Sequence, residues 1–222
     1  MADNSKETTR VDMTRFRELL KRAAFPERFK IDRYIEDVPA MLRESYIFEV
    51  ERRYKHFVDD SETAKHIEQA AKWLVGNHKF GLLLYGKVGN GKTTLSRAIG
   101  RLIGLLYESY SYHERKNVRH VTALELASIA KENPDTFNDI KTRELLVIDD
   151  VGVEPSVIKV WGNEISPFVE VIYHRYDRQL FTIITSNLDD EELFRRYGPR
   201  VADRFAEMFD RIAFENNSYR TK

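Results

Sequence analysis

Residues Gly86-Lys87-Val88-Gly89-Asn90-Gly91-Lys92-Thr93 fit the pattern G-x-x-x-x-G-K-[ST] at every position. The pattern constrains the fold as well as the ligand, because it works only between a strand and a helix. The run "FGLLLY" at 80–85 supplies the strand. Residues 93–107 supply the helix, with Leu95, Ala98, Ile99, Leu102 and Leu106 on one face. Glycine lets the backbone curl so that successive N–H groups point inward at phosphate oxygens. Gly86, Val88, Gly89, Asn90, Gly91 and the following Thr94 are the candidate backbone and side-chain contacts. The helix N-terminus adds its partial positive charge. Lys92 is placed to reach the β- and γ-phosphates, and the Thr93 hydroxyl to sit on Mg²⁺. The expected ligands are ATP and Mg²⁺.

The rest of the chain agrees with such a core. "VRHVT" (118–122), "ELLVID" (144–149) and "LFTIITS" (180–186) are short apolar runs of the kind buried on both faces of a sheet. Helical stretches at 93–107, 123–132 and about 162–178 lie between them. This alternation predicts an α/β fold with a parallel central sheet flanked by helices. "DDEELFRRYG" (189–198), "PRVADRFAEMF" (199–209) and a last apolar segment, "RIAFE", complete the chain.

The N-terminal part is different. Residues 1–10 read as a disordered lead-in and 11–60 as a small helical region that binds a partner. The nucleotide-binding domain is expected to span 61–222. Within 11–24, Met13, Phe16, Leu19, Leu20 and Ala23 recur at helical spacing, with Arg15, Arg17, Lys21 and Arg22 around them. The helix is either a partner surface or packed on its own core with its charges in water. Pro26 disfavours helix in the residue before it. A helix is expected at 61–77, N-capped by Ser61, with Ala64, Ile67, Ala70, Ala71 and Leu74 on one face.

Asp149 and Asp150 end the apolar run at 144–149. Ligands of α/β sheets bind at the carboxyl ends of the strands, so these acids belong beside the phosphate loop. Asp149 is then the metal-side carboxylate, and Asp150 the group that orients or deprotonates an attacking water. This arrangement points to nucleotide hydrolysis. Asn187 follows another apolar run and is placed to bridge the γ-phosphate and that water, or else to open a turn and cap the next helix.

The phosphate loop and "LLVIDDVGVEP" resemble an AAA+ ATPase. The run from there through "VIYHRYDRQLFTIITSNLDDEELFRRYGPRVADRF" to "SYR" resembles the DnaC-type helicase loaders and the IstB-type transposition ATPases. The resemblance covers about residues 80–220. It implies a P-loop NTPase of the AAA+ kind with a truncated C-terminal lid, and a sensor role for Asn187. It also implies that Arg204 is an arginine finger for a neighbouring subunit, with Arg200 and Arg220 accessory arginines near the nucleotide. Taken only as helix residues, Arg200 and Arg204 form a solvated face beside Asp203 and Glu207. Asp150 departs from the Glu that many AAA+ proteins carry.

The implied function is that of an ATP-hydrolysing replication protein that loads a replicative helicase onto single-stranded DNA. The alternative is an IstB-like ATPase that binds DNA and directs a transposase, and a P-loop metabolite kinase is a third reading. With 36 basic and 36 acidic residues the net charge is +0, so any nucleic-acid contact must come from a local patch. "YESYSYHERKNVRH" (107–120) interleaves aromatics with cations and offers Tyr112, Arg115 and Lys116. Lys159, beside Trp161, is a second candidate. Either is otherwise a polar surface loop. Zero cysteines and no apolar run near the length of a membrane span suit the cytoplasm.

Overall fold

The computed structural model describes residues 11–22, 28–76, 79–108, 115–160 and 162–219. The elements in chain order begin with helices α1 (Met13–Arg22), α2 (Val38–Glu51) and α3 (Ser61–Val75). Strand β1 (Gly81–Gly86) leads to α4 (Lys92–Leu106), then β2 (Arg119–Thr122), α5 (Ala123–Glu132) and α6 (Pro134–Thr142). Strand β3 (Leu146–Val151) precedes a small hairpin, β4 (Ile158–Val160) and β5 (Asn163–Ile165), and then α7 (Pro167–Asp177). Strand β6 (Thr182–Ser186), α8 (Asp190–Tyr197), α9 (Pro199–Met208) and β7 (Phe209–Phe214) follow.

Five strands form one parallel sheet in the order β2-β3-β6-β1-β7. Side chains alternate across a strand, and here both faces are apolar. Leu82, Leu84, Val147, Ile183 and Ile212 enter a core shared with α2, α3 and α4. Leu83, Leu146, Ile148 and Ile184 enter the opposite core, built with α5 to α9. The expected three-layer architecture is present. Strand β1 pairs with β6 on one side and β7 on the other, so the phosphate loop leaves an interior strand of the sheet.

Several local expectations are corrected. Ser61 is the first helical residue of α3, and its N-cap is Asp60, whose carboxylate accepts from Thr63 N–H at 2.8 Å. Ala64 is exposed, and Thr63 and His66 are buried in its place. The helix expected from about 162 starts at Pro167, because the preceding residues pair as the β4–β5 hairpin. Helix α2 falls within the region 11–60 expected to be helical, although the apolar pattern marks no helix at these residues. Its buried residues Val38, Leu42, Ser45, Tyr46 and Glu49 keep helical spacing, but two of them are polar and break the apolar stripe. Ile31, Val38, Leu42 and Tyr46 lie in the same core as α3 and α4. Among the described residues, no helix is long and apolar enough to cross a membrane.

Candidate nucleotide-binding site

The phosphate loop runs from the end of β1 into α4. Gly86, Gly89 and Gly91 have φ of 129°, 82° and 106°, values that L side chains rarely adopt. A Cβ on Gly86 would sit 2.2 Å from Phe214 O, and one on Gly91 2.5 Å from the Tyr46 hydroxyl. Space as well as conformation therefore requires these two glycines. Lys92 is buried, and its ammonium donates to Gly86 O (2.7 Å), Lys87 O (2.6 Å) and Asn90 Oδ1 (3.1 Å). The cation is thus stationed inside the loop's curl. Val88 is 56% exposed at its tip.

Asn90 is 1% exposed and fixes the loop from below, with Nδ2 donating to Phe214 O at 2.7 Å. The residues after β7 return to the same place. Asn216 Nδ2 donates to Asn90 O (3.1 Å), and Tyr219 N–H donates to Gly89 O (2.8 Å). The Tyr219 hydroxyl donates to Asp60 Oδ2 at 2.6 Å and lies 2.8 Å from Thr63 Oγ1. His66 stacks on Phe214 at 4.0 Å between centroids, and burial holds its pKa below the ordinary value. The spacing of the motif carries no trace of this support.

Asp149 is 8% exposed and adjoins the loop. Two hydroxyls converge on its Oδ1: Thr93 Oγ1 donates at 2.9 Å and Thr185 Oγ1 at 2.6 Å. Thr185 Oγ1 in turn accepts from Asp150 N–H at 2.9 Å. The β3–β6 register shifts here: Ile148 pairs with Ile184 and Val151 with Ser186, which leaves one extra residue on β3. This is a β-bulge, a device that re-aims side chains at functional strand ends. Strict alternation would send adjacent acids to opposite faces; the bulge lifts that constraint. Asp150 takes a left-handed φ of 56°, which Asp tolerates better than longer acids.

The oxygen donors Thr93 and Asp149 suit Mg²⁺, which binds through one or two protein groups, phosphates and water. Among the described residues no group of three or more His, Cys, Asp or Glu could hold a metal by itself. The site fits an ion that arrives with a phosphate ligand.

Asn187 is exposed immediately after β6. It does not cap α8: that is done by Asp189, in a capping box with Glu192. The arginines lie elsewhere. Arg200 is exposed. The Arg204 guanidinium lies over Tyr173 (4.1 Å) and Tyr176 (5.3 Å) of α7, and Nη1 donates to Arg200 O (3.3 Å). None of these contacts is with the phosphate loop. A link from the acidic strand end does reach α8: buried Glu154 accepts from Gly152 N–H (2.8 Å) and from the Tyr197 hydroxyl, and Arg196 donates to its carbonyl.

Of the nucleic-acid candidates, Arg115 is exposed. Lys116 donates to Glu144 at 2.5 Å, and Lys159 sits opposite Glu164 in the hairpin. Lys116 is thus already paired with an acid, whereas Lys159 is exposed. Tyr112, Trp161 and Arg220 lie outside the described residues.

No protein-family model matches the chain, and no curated protein matches its sequence. Solved structures do resemble its fold. The DnaC helicase loader superposes with a TM-score of 0.54 at 18% identity, over 72% of this chain and 94% of that one. DnaI gives 0.52 at 22% identity, over 73% and 86%. AMPPCP-bound DnaA from Aquifex aeolicus gives 0.51 at 23% identity, over 75% of this chain and 51% of that one. At these identities the likeness is one of fold. With its five-stranded parallel sheet, its phosphate loop on an interior strand and its acids on β3, the chain has an α/β P-loop NTPase fold shared with these solved structures.

Proposed function

We propose that the chain is an ATP-hydrolysing DNA replication protein of the cytoplasm that loads a replicative helicase onto single-stranded DNA. The observation that supports the ATPase part best is the convergence of Thr93 and Thr185 on Asp149 beside a fully formed phosphate loop. Lys92 binds the β- and γ-phosphates, while loop N–H groups hold the remaining oxygens. Thr93 and Asp149 hold Mg²⁺, whose charge, when it is bound, neutralises the β- and γ-oxygens. Asp150 orients or deprotonates the attacking water, and Asn187 fixes that water against the γ-phosphate. Arg204 acts on a neighbour's nucleotide, with Arg200 and Arg220 as accessories, so hydrolysis is slow until the chain assembles.

The loader part is supported by the fold shared with DnaC and DnaI and by α1. Met13, Phe16, Leu19 and Leu20 are 45–54% exposed on that helix, an apolar stripe beside arginines. Such a helix fits a hydrophobic groove on a protein partner. Arg115 and Lys159 are the exposed candidate cations for DNA phosphates.

The experiment is a pull-down of replicative helicase with the full chain, with and without ATP, beside a phosphate-release assay. Helicase capture in ATP and release after hydrolysis support the proposal. Capture of a transposase in place of helicase selects the IstB-like reading. Transfer of the γ-phosphate to a small acceptor, with no free phosphate, selects a kinase.

A further inference from the structure

The end of α2 and the turn that follows it meet the first turns of α4 on the flank of the phosphate loop, through arginines that none of the motifs includes. Arg53 Nη2 donates to Thr94 Oγ1 at 2.7 Å, and Arg53 Nε donates to Glu49 O at 2.9 Å. Thr94 follows Thr93 at the start of α4. Its hydroxyl accepts from Arg53, so its own proton remains to be donated. Its backbone N–H lies in the first helical turn, where helix geometry provides no carbonyl. Leu95 N–H is already turned back to Gly91 O, at 2.9 Å. Thr94 therefore presents two donors at the helix end that the phosphate loop aims at its ligand.

The charge around it is unbalanced. Glu49 is 1% exposed, and its carboxylate is shared by Arg52 (3.2 Å) and Arg101 (2.7 Å). Arg53 takes only the main-chain oxygen of that residue. Arg97 stands one turn along α4 from Thr93 and repels Arg53. These five side chains carry four positive charges and one negative. Desolvation, followed by the like charge of Arg97, lowers the Arg53 pKa from its usual value. An anion beside Thr94 relieves both costs.

The turn that aims Arg53 is itself held open at a cost. Arg53 N–H donates to Val50 O (3.1 Å) and Tyr54 N–H to Glu51 O (2.8 Å), with Tyr54 at a left-handed φ of 57° and 99% exposed. A bulky residue is strained in that region, and such outliers cluster at ligand clamps.

We propose that Arg53 is a nucleotide-binding residue which, with Thr94, holds the α-phosphate of a bound nucleoside di- or triphosphate, Arg97 adding to the same positive field. The proposal rests on the reading of the loop as an ATP site. Lys92 and Thr93 serve the β- and γ-phosphates, and the remaining phosphate falls next to Thr94. The guanidinium reaches it by rotating off the Thr94 hydroxyl or by bridging hydroxyl and phosphate together.

The test is calorimetric titration of the full chain with Mg-ATP and Mg-ADP. Both nucleotides have an α-phosphate, so Arg53→Ala weakens both by the same factor, about tenfold for one charge-assisted hydrogen bond. Arg53→Lys keeps the charge but not the fork and loses about threefold on each. The Lys variant carries the test should the Ala variant not fold, which its nucleotide-free thermal midpoint reports. Wild-type affinity in Arg53→Ala overturns the proposal, and so does a loss confined to ATP. Unchanged nucleotide affinity with weakened binding to a single-stranded oligonucleotide overturns it in favour of nucleic acid. A wild-type chain that binds neither nucleotide overturns the ATP reading as well, and so is distinguishable from the failure of Arg53 alone.

Discussion

The phosphate loop and helix α9 carry the two groups of residues that the family resemblance links to nucleotide chemistry, and they are held in different ways. Around the loop, every key side chain has a partner inside the chain. Lys92 rests on two carbonyls and Asn90, Thr93 and Thr185 meet on Asp149, and Asn90 is locked to Phe214. On α9 the apolar positions Val201, Phe205 and Met208 are buried, while Arg200 is exposed and Arg204 half-buried, away from the phosphate loop. Arg204 is parked over two tyrosines, and its Nε is buried without a hydrogen-bond partner. Preorganised groups bind and polarise without rearrangement. Arginines held away from the loop suit contact with something that arrives from outside.

Four substitutions probe this contrast. Lys92→Ala has the largest expected effect, because it removes the loop's internal cation. Nucleotide binding is lost in calorimetry, and all turnover with it. Retained binding would mean that the loop is not the phosphate site. Next is Arg204→Ala. Turnover at high protein concentration falls by about 1,000-fold, in the range of arginine fingers. Nucleotide affinity changes little, and the loss of the cation–π contacts costs about 1 kcal/mol of stability. An equal loss at all protein concentrations would place Arg204 in its own chain's site, against its position over α7.

Asp150→Asn is third. Asn also tolerates the left-handed backbone, so nucleotide still binds while phosphate release falls by about 100-fold. Wild-type turnover in this variant would move the water-activating role elsewhere. The smallest effect is the pH response of the loop's support. Burial keeps His66 neutral in the fold, with its pKa below the ordinary 6.5. The unfolded chain therefore takes up a proton first as pH falls. Stability from this residue is complete above that ordinary value and is lost below it. The urea midpoint should drop between about pH 7.5 and pH 5.5, and His66→Gln should flatten the drop. An unchanged slope would show that His66 does not report on the folded state.

The parts of this site that could be read from the chain are those whose chemistry is local. The loop, Asp149 and the helix after the loop depend on residues close in sequence, and the buried strands announce themselves as short apolar runs. The support of the loop is long-range. Nothing near Asn90 points to Phe214, and "RIAFE" gives no hint that it lies in parallel beside β1. Helix α2 escaped because Ser45 and Glu49 occupy buried positions, the latter to serve two arginines. Helix α6 did leave a signal. Asn133 followed by Pro134 is a cap and a first-turn proline, and Asn133 Oδ1 accepts from Thr136 N–H at 3.0 Å. The bulge at Asp150 could not be foreseen, since the residue is ordinary and only its partner strand reveals the extra step.

The return of residues 209–219 to the phosphate loop has a consequence for synthesis. A chain leaving the ribosome exposes the loop more than a hundred residues before β7 and Tyr219 exist. Until they emerge, β1 lacks one neighbour and Gly89, Asn90 and Phe214 cannot meet. A nascent fragment that stops before Phe209 therefore carries the whole nucleotide motif without the brace that shapes it. Contacts of such sequence separation form late in folding. The phosphate loop therefore gains its full set of hydrogen bonds only as this last segment is completed.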